Sequence, residues 1–142
     1  MQPSLYEVLP WIAALGFVLL GVMHALGRPP LRGAWIAPAT LAGVFLGWSL
    51  FTIVQNCVTA VWVEHTRNAW GNQIWFDLLL ATGLAMVLLF PRARAVGMHP
   101  LPWFLLVAAS GSVGLYAMLA RCMFLEERHP ARIIKPSGDR PD

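Results

Sequence analysis

Residues 34–63 read AWIAPATLAGVFLGWSLFTIVQNCVTAVWV, thirty positions without a single Asp, Glu, Lys or Arg. A helix that crosses a bilayer needs about 20 largely apolar residues, so this run predicts a membrane span over residues 34–58. The excess length either tilts or leaves the bilayer as an interfacial helix before Glu64. The surrounding composition agrees. Of 142 residues, 58% are hydrophobic and 12% charged, and the mean hydropathy is +0.62. Soluble domains are about 45–50% apolar and about 25% charged. A water-soluble fold made from this chain lacks the charge to coat its surface, and the chain is too apolar and aromatic for disorder. The composition predicts an all-α, polytopic membrane protein.

Working outward, Val8 to Leu26 is free of formal charge and stops at Gly27-Arg28-Pro29-Pro30. The residues before it carry Glu7 but no Lys or Arg, which predicts a retained first helix rather than a cleaved signal. Ile74 to Phe90 is a third span, stopped by Pro91-Arg92. Pro102 to Ala120 is a fourth, opened by Pro100-Leu101-Pro102 and closed by Arg121. The expectation is a four-helix transmembrane bundle over residues 1–125, with spans near 8–26, 34–58, 74–90 and 102–121, then a polar flexible tail over 126–142. Trp11, Trp35, Trp62, Trp70, Trp75 and Trp103 fall near span ends, where amphipathic rings favour the headgroup level; Trp48 lies inside. Gly43-Val-Phe-Leu-Gly47, Ala81-Thr-Gly-Leu-Ala85 and Ser110-Gly-Ser-Val-Gly114 predict close helix packing within the bundle.

Four spans put both termini on one side. The first helix has no Lys or Arg before it and Arg28 and Arg32 after it, so the first and third loops are expected in the cytosol and both termini outside. The basic residues separate apolar segments and are not interleaved with stacking aromatics, so no nucleic-acid partner is expected. The net charge of +3 is read as a topology signal. Cys57 and Cys122 lack metal or disulfide spacing. No HxxxH, HExxH or paired-carboxylate pattern is present, which argues against haem, zinc or di-iron. His24, His99 and His129 lie away from the polar residues discussed next.

Polar groups inside a span are costly and mark candidate sites. Thr52, Gln55, Asn56 and Thr59 fall at i, i+3, i+4 and i+7, one face of the second helix, and Trp48 continues that face one turn deeper. The stripe suits either a ligand or hydrogen bonds between helices. Asp77 lies near the start of the third span. In a four-span layout the last helix returns Tyr116 and Arg121 to the same membrane face, where Glu64 and His65 also lie. Asp77, Arg121 and Glu64 are therefore the candidate catalytic residues, and Trp48, Thr52, Gln55, Asn56 and Tyr116 the candidate substrate contacts. A structural Asp–Arg pair near the interface, with Glu64, His65 and Arg67 as solvated loop residues, is the alternative.

Phe76-Asp77-Leu78-Leu79, the basic turn Pro91 to Met98, the re-entry at Trp103 and Gly114-Leu115-Tyr116 before Arg121 resemble a family of small four-helix bacterial membrane proteins of unknown function. More distantly, the layout is similar to plant membrane proteins required for neoxanthin synthesis. Those carry Gly-Pro-x-Gly-Leu where this chain has Gly111-Ser-Val-Gly-Leu115. The resemblance implies an association with lipophilic, isoprenoid-like molecules.

Two functions follow as expectations. One is a cofactor-free acid–base enzyme, an isomerase, cyclase or epoxide-opening type, acting on a lipophilic isoprenoid- or polyketide-like substrate, with Asp77 as acid or base and Arg121 tuning it. The other is a non-catalytic accessory subunit or assembly factor that meets membrane-protein partners in the lipid bilayer. A transporter ranks third, because no internal repeat is visible.

Overall fold

The computed structural model describes residues 4–27 and 32–129, apart from the side chain of His24. The stop at Arg28-Pro29-Pro30 and the tail beyond His129 lie outside the described residues. Those residues form helices only: α1 (Leu5–Ala25), α2 (Ile36–Asn56), α3 (Ala60–Thr66), α4 (Ala69–Ala95), α5 (Pro100–Ser110) and α6 (Ser112–Arg128). Three of them, α1, α2 and α4, are long and apolar enough to cross a membrane. The chain divides into two compact units, residues 1–31 and residues 32–142.

The first unit is α1. Its large side chains are exposed around the helix, Trp11 and Phe17 at 78% and 77%, as suits a helix whose solvent is lipid. At its start the Ser4 amide donates to the Glu7 carboxylate at 2.8 Å, one half of a capping box.

In the second unit the thirty-residue apolar run is broken. Cys57 adopts φ 67°, its amide donates to the Ile53 carbonyl, and α2 ends there. The short helix α3 then folds onto the start of α4. Asn68 caps α4 by accepting the Gly71 amide at 2.9 Å, and the Asn72 side chain donates to the His65 carbonyl at 2.8 Å. The approach is close enough that a Cβ on Gly71 would overlap the Glu64 carbonyl oxygen. Part of the excess length forms the separate short helix α3, which runs past Glu64 to Thr66.

The third span is longer than residues 74–90. Helix α4 runs through Pro91 to Ala95 because its terminator is Gly97 rather than the proline. With φ +81°, Gly97 donates to the Arg94 carbonyl while Met98 donates to that of Ala93, both at 2.9 Å. This paired closure satisfies the last carbonyls. His99 is extended ahead of Pro100, which opens α5 at a position where a missing N–H costs nothing.

The expected fourth span does not exist as one helix. It breaks at Gly111, whose φ of +58° and ψ of −124° no residue with a side chain adopts comfortably. Eleven residues of α5 precede the break, and eleven more, Ser112–Cys122, follow it before the Cys122 sulfur meets Met98 at 3.6 Å, just ahead of α5. Two arms of equal length joined at both ends must run antiparallel. Helices α5 and α6 are therefore a hairpin, each arm about 16 Å long, roughly half the ~30 Å hydrocarbon depth. Gly114 allows the arms to touch: a Cβ there would lie 2.8 Å from the Val107 amide nitrogen and 2.9 Å from the Leu106 carbonyl oxygen.

Helix α6 also holds the unit together, packing on α2, α4 and α5. Its middle, through Met118 and Cys122, shares a core with Ala93, Val96 and Met98, flanked by Leu89, Phe90, Trp103 and Leu125. The start of α2 meets the end of α6, with Trp35 edge-on to Phe124 at 5.2 Å. Helix α2 thus runs antiparallel to α6 and buries Pro38 and Ala42, one turn apart. Gly43, Gly47 and Gly83 have open space where a Cβ would project. The repeat holding Gly114 packs the hairpin.

Gly114→Val is expected to destabilise the protein by about 1–3 kcal/mol through overpacking, read as a lowered denaturant midpoint in detergent micelles. Gly43→Ala, facing open space, is expected to leave that midpoint unreduced.

Candidate functional site

The hairpin sorts the polar residues of the second unit into two ends. The start of α2, the end of α4 and the end of α6 come together and carry Arg32, Arg92, Arg94, Arg121, Glu126, Glu127 and Arg128. The opposite end holds Asn56, Cys57, Glu64, His65, Arg67 and the first turns of α4.

At the arginine end, the Arg92 guanidinium grips Glu126 through Nε and Nη2, the latter at 2.6 Å. Arg92 and Glu126 are 42% and 21% exposed, so partial solvent screening limits the pair to about 1 kcal/mol. Glu127 accepts the Gly33 amide through both carboxylate oxygens, at 3.0 and 3.2 Å, tying α2 to α6. Arg128 and Arg121 lie over the Phe124 ring at 4.5 and 5.7 Å. Of these residues the sequence picks out only Arg121 as a candidate. Their signal was the pair Gly111 and Gly114, which was assigned to helix packing rather than to reversal of the chain.

The candidate residues are divided between the ends. The Arg92–Glu126 pair sets the register of α4 on α6. From it, Asp77 lies fifteen residues back along α4, about 22 Å, and Arg121 five residues back along α6, about 8 Å. Roughly 15 Å of axial distance separates them, so the expected Asp77–Arg121 pair is not formed. Arg121 stacks on Phe124 instead. Asp77 is exposed and makes no ion pair with any described residue. Tyr116 is half-buried near the hairpin tip.

Glu64 and His65 share the end of Asp77, but each is engaged locally. Glu64 pairs with Arg67 at 3.2 Å, both well exposed. The His65 Nδ1 lies 2.6 Å from the Val61 carbonyl, and its ring rests 4.9 Å from that of Trp75. Two members of the stripe on α2, Thr52 and Asn56, bond back along their own helix. Thr52 donates to the Trp48 carbonyl at 2.9 Å, and the Asn56 amide to the Thr52 carbonyl at 3.4 Å. Hydroxyls bonding back to the preceding turn are a local alternative to interhelical bonds. Gln55 is exposed and hydrogen-bonds no described residue. Trp48 tilts against Phe51, ring centroids 5.6 Å apart. Among the described residues, no group of three or more His, Cys, Asp or Glu converges as a metal site would need.

Cys57 is exposed and beyond the last turn of α2. The Thr59 amide and hydroxyl, by donating to its sulfur, hold its thiol below the usual range. Cys122 is buried in the core.

A double-mutant cycle of Asp77→Asn with Arg121→Gln is expected to return no coupling, while Arg92→Gln with Glu126→Gln returns about 1 kcal/mol. Unfolding of the four single and two double variants provides the measurement. No protein-family model matches the chain, and neither a curated protein nor a solved structure matches it.

Proposed function

We propose that this chain is a non-catalytic accessory subunit or assembly factor of a larger membrane complex. In this reading α1, α2 and α4 cross the bilayer, and the α5–α6 hairpin enters from the arginine end and returns to it. An odd number of crossings puts the termini on opposite sides, in place of the shared side expected for four spans. The positive-inside rule then assigns the arginine end to the cytosol. Supporting this, Arg32, Arg92, Arg94, Arg121 and Arg128 gather at one end, while the far end carries Arg67, already paired with Glu64.

The observation that carries the accessory role is the set of polar and small residues on α2 and α4 that no other helix of the second unit covers among the described residues. Asp77 and Gln55 are exposed on helices long and apolar enough to span, and Gly43 and Gly47 face open space. If Arg92 marks the cytosolic boundary, Asp77 lies about 8 Å inside the far boundary of a ~30 Å core. A carboxylate in hydrocarbon costs about 2.5–3.5 kcal/mol at a helix centre. A transmembrane helix from another polypeptide relieves that cost when it brings a small-residue face to α2 and a donor to Asp77.

A second reading, the acid–base enzyme, is favoured by a different observation. Asn56 and Asp77 share the far end on lipid-facing surfaces, where an isoprenoid- or polyketide-like molecule of the kind implied by the family resemblance has lateral access. Unaltered product in lipid extracts of cells expressing Asp77→Asn rejects it.

Gentle detergent extraction is expected to recover the chain with defined membrane-protein partners, and Gly43→Ile/Gly47→Ile to release them without unfolding the protein. Purification as an isolated chain, indifferent to those substitutions, overturns the accessory role. For orientation, a membrane-impermeant maleimide added to intact cells is expected to label Cys57 and spare Cys122. Because the reactive thiolate of Cys57 is favoured by its donors, labelling rises with pH and levels off at a lower pH than for an ordinary thiol.

A further inference from the structure

Between the start of α2 and the end of α6 lies a pocket of about 280 Å³ lined by Arg32, Trp35, Phe124, Glu127 and Arg128. Its charge is unbalanced. Glu127, the sole carboxylate in the lining, is committed to the Gly33 amide. Neither Arg32 nor Arg128 is within ion-pair distance of a described carboxylate, and Arg128 lies over Phe124 at 4.5 Å. Arg121, over the same ring, adds a third cation nearby. The walls between the guanidiniums are aromatic, Trp35 edge-on to Phe124, and the helices leading away from the pocket present lipid-exposed apolar side chains such as Ile36 and Leu41.

Two guanidiniums, an aromatic wall and an adjoining apolar slope match the successive parts of a phospholipid: phosphate, glycerol and acyl chains. Guanidinium forks bind phosphate oxygens in pairs, and basic pockets between transmembrane helices on the cytoplasmic side suit anionic headgroups. We propose that this pocket binds a phosphate-bearing anion through Arg32 and Arg128, with an anionic phospholipid headgroup as its source at the membrane surface. The site rests on the reading that this end meets the bilayer surface, and it is independent of any partner protein.

Native mass spectrometry of the full chain, released from micelles containing dioleoylphosphatidylglycerol or dioleoylphosphatidylcholine, tests it. Retention of phosphatidylglycerol is expected to exceed that of phosphatidylcholine. Arg32→Gln and Arg128→Gln are each expected to lower retention about fivefold, and the double variant more than tenfold, the scale of one guanidinium near an anionic surface. Arg94→Gln, at the same end but outside the pocket, leaves retention unchanged, and Arg128→Lys preserves part of it. Helix content by circular dichroism confirms that each variant is folded. Displacement of the lipid by millimolar inorganic phosphate supports the phosphate site with free phosphate as its source; retention against phosphate supports the lipid. Equal retention of the two lipids, or an Arg94→Gln loss equal to that of Arg128→Gln, overturns the proposal. Failure of Cys57 to label from outside removes the proposed orientation and leaves this comparison standing.

Discussion

The second unit depends on one backbone reversal. At Gly111 the chain takes a positive φ, and three residues later Gly114 brings the two arms into backbone contact. Neither position tolerates a side chain, for different reasons: the first lacks the conformation, the second the space. Because the arms touch, Cys122 comes back to Met98 and the end of α6 to the end of α4. The ion pair of Arg92 with Glu126 and the tie from Gly33 to Glu127 then form between segments that a straight helix would hold on opposite sides of a membrane.

That reversal leaves an asymmetric interior. At the arginine end α6 fills the space between α2 and α4, and a small core gathers around its middle, at Met118 and Cys122. Beyond the hairpin tip α6 no longer separates α2 from α4, and most of their side chains are exposed. On α2, Thr52 and Asn56 hydrogen-bond within their own helix, to the preceding turn. Such bonds satisfy donors without fixing any neighbour. They hold no register and build no enclosed pocket, which weakens an acid–base site and leaves surface for another helix.

Charge follows the same division. With the hairpin closed, the arginines flanking α2, α4 and α6 converge, and the aromatic ring of Phe124 takes two of them on its face. Cation–π stacking and a bidentate pair keep guanidiniums ordered at a surface where water alone would leave them mobile. The tryptophans at the opposite end, Trp62 and Trp70, remain well exposed, as rings at a headgroup boundary are.

The amino-acid sequence by itself determined the solvent, the helical class and the three long apolar helices, because hydropathy sums over neighbouring residues and needs no knowledge of partners. It set the end of the third helix at Pro91, where a proline costs one hydrogen bond, while the glycine closure at Gly97 satisfies several carbonyls. It also brought Asp77 and Arg121 to one face, on the premise that every apolar stretch of sufficient length crosses. Tertiary structure alone decided that the last stretch turns back at Gly111. The reason is physical: direction of travel is set by the dihedral angles of one glycine and the close packing of another, and neither changes the hydrophobicity that a reader of the sequence adds up.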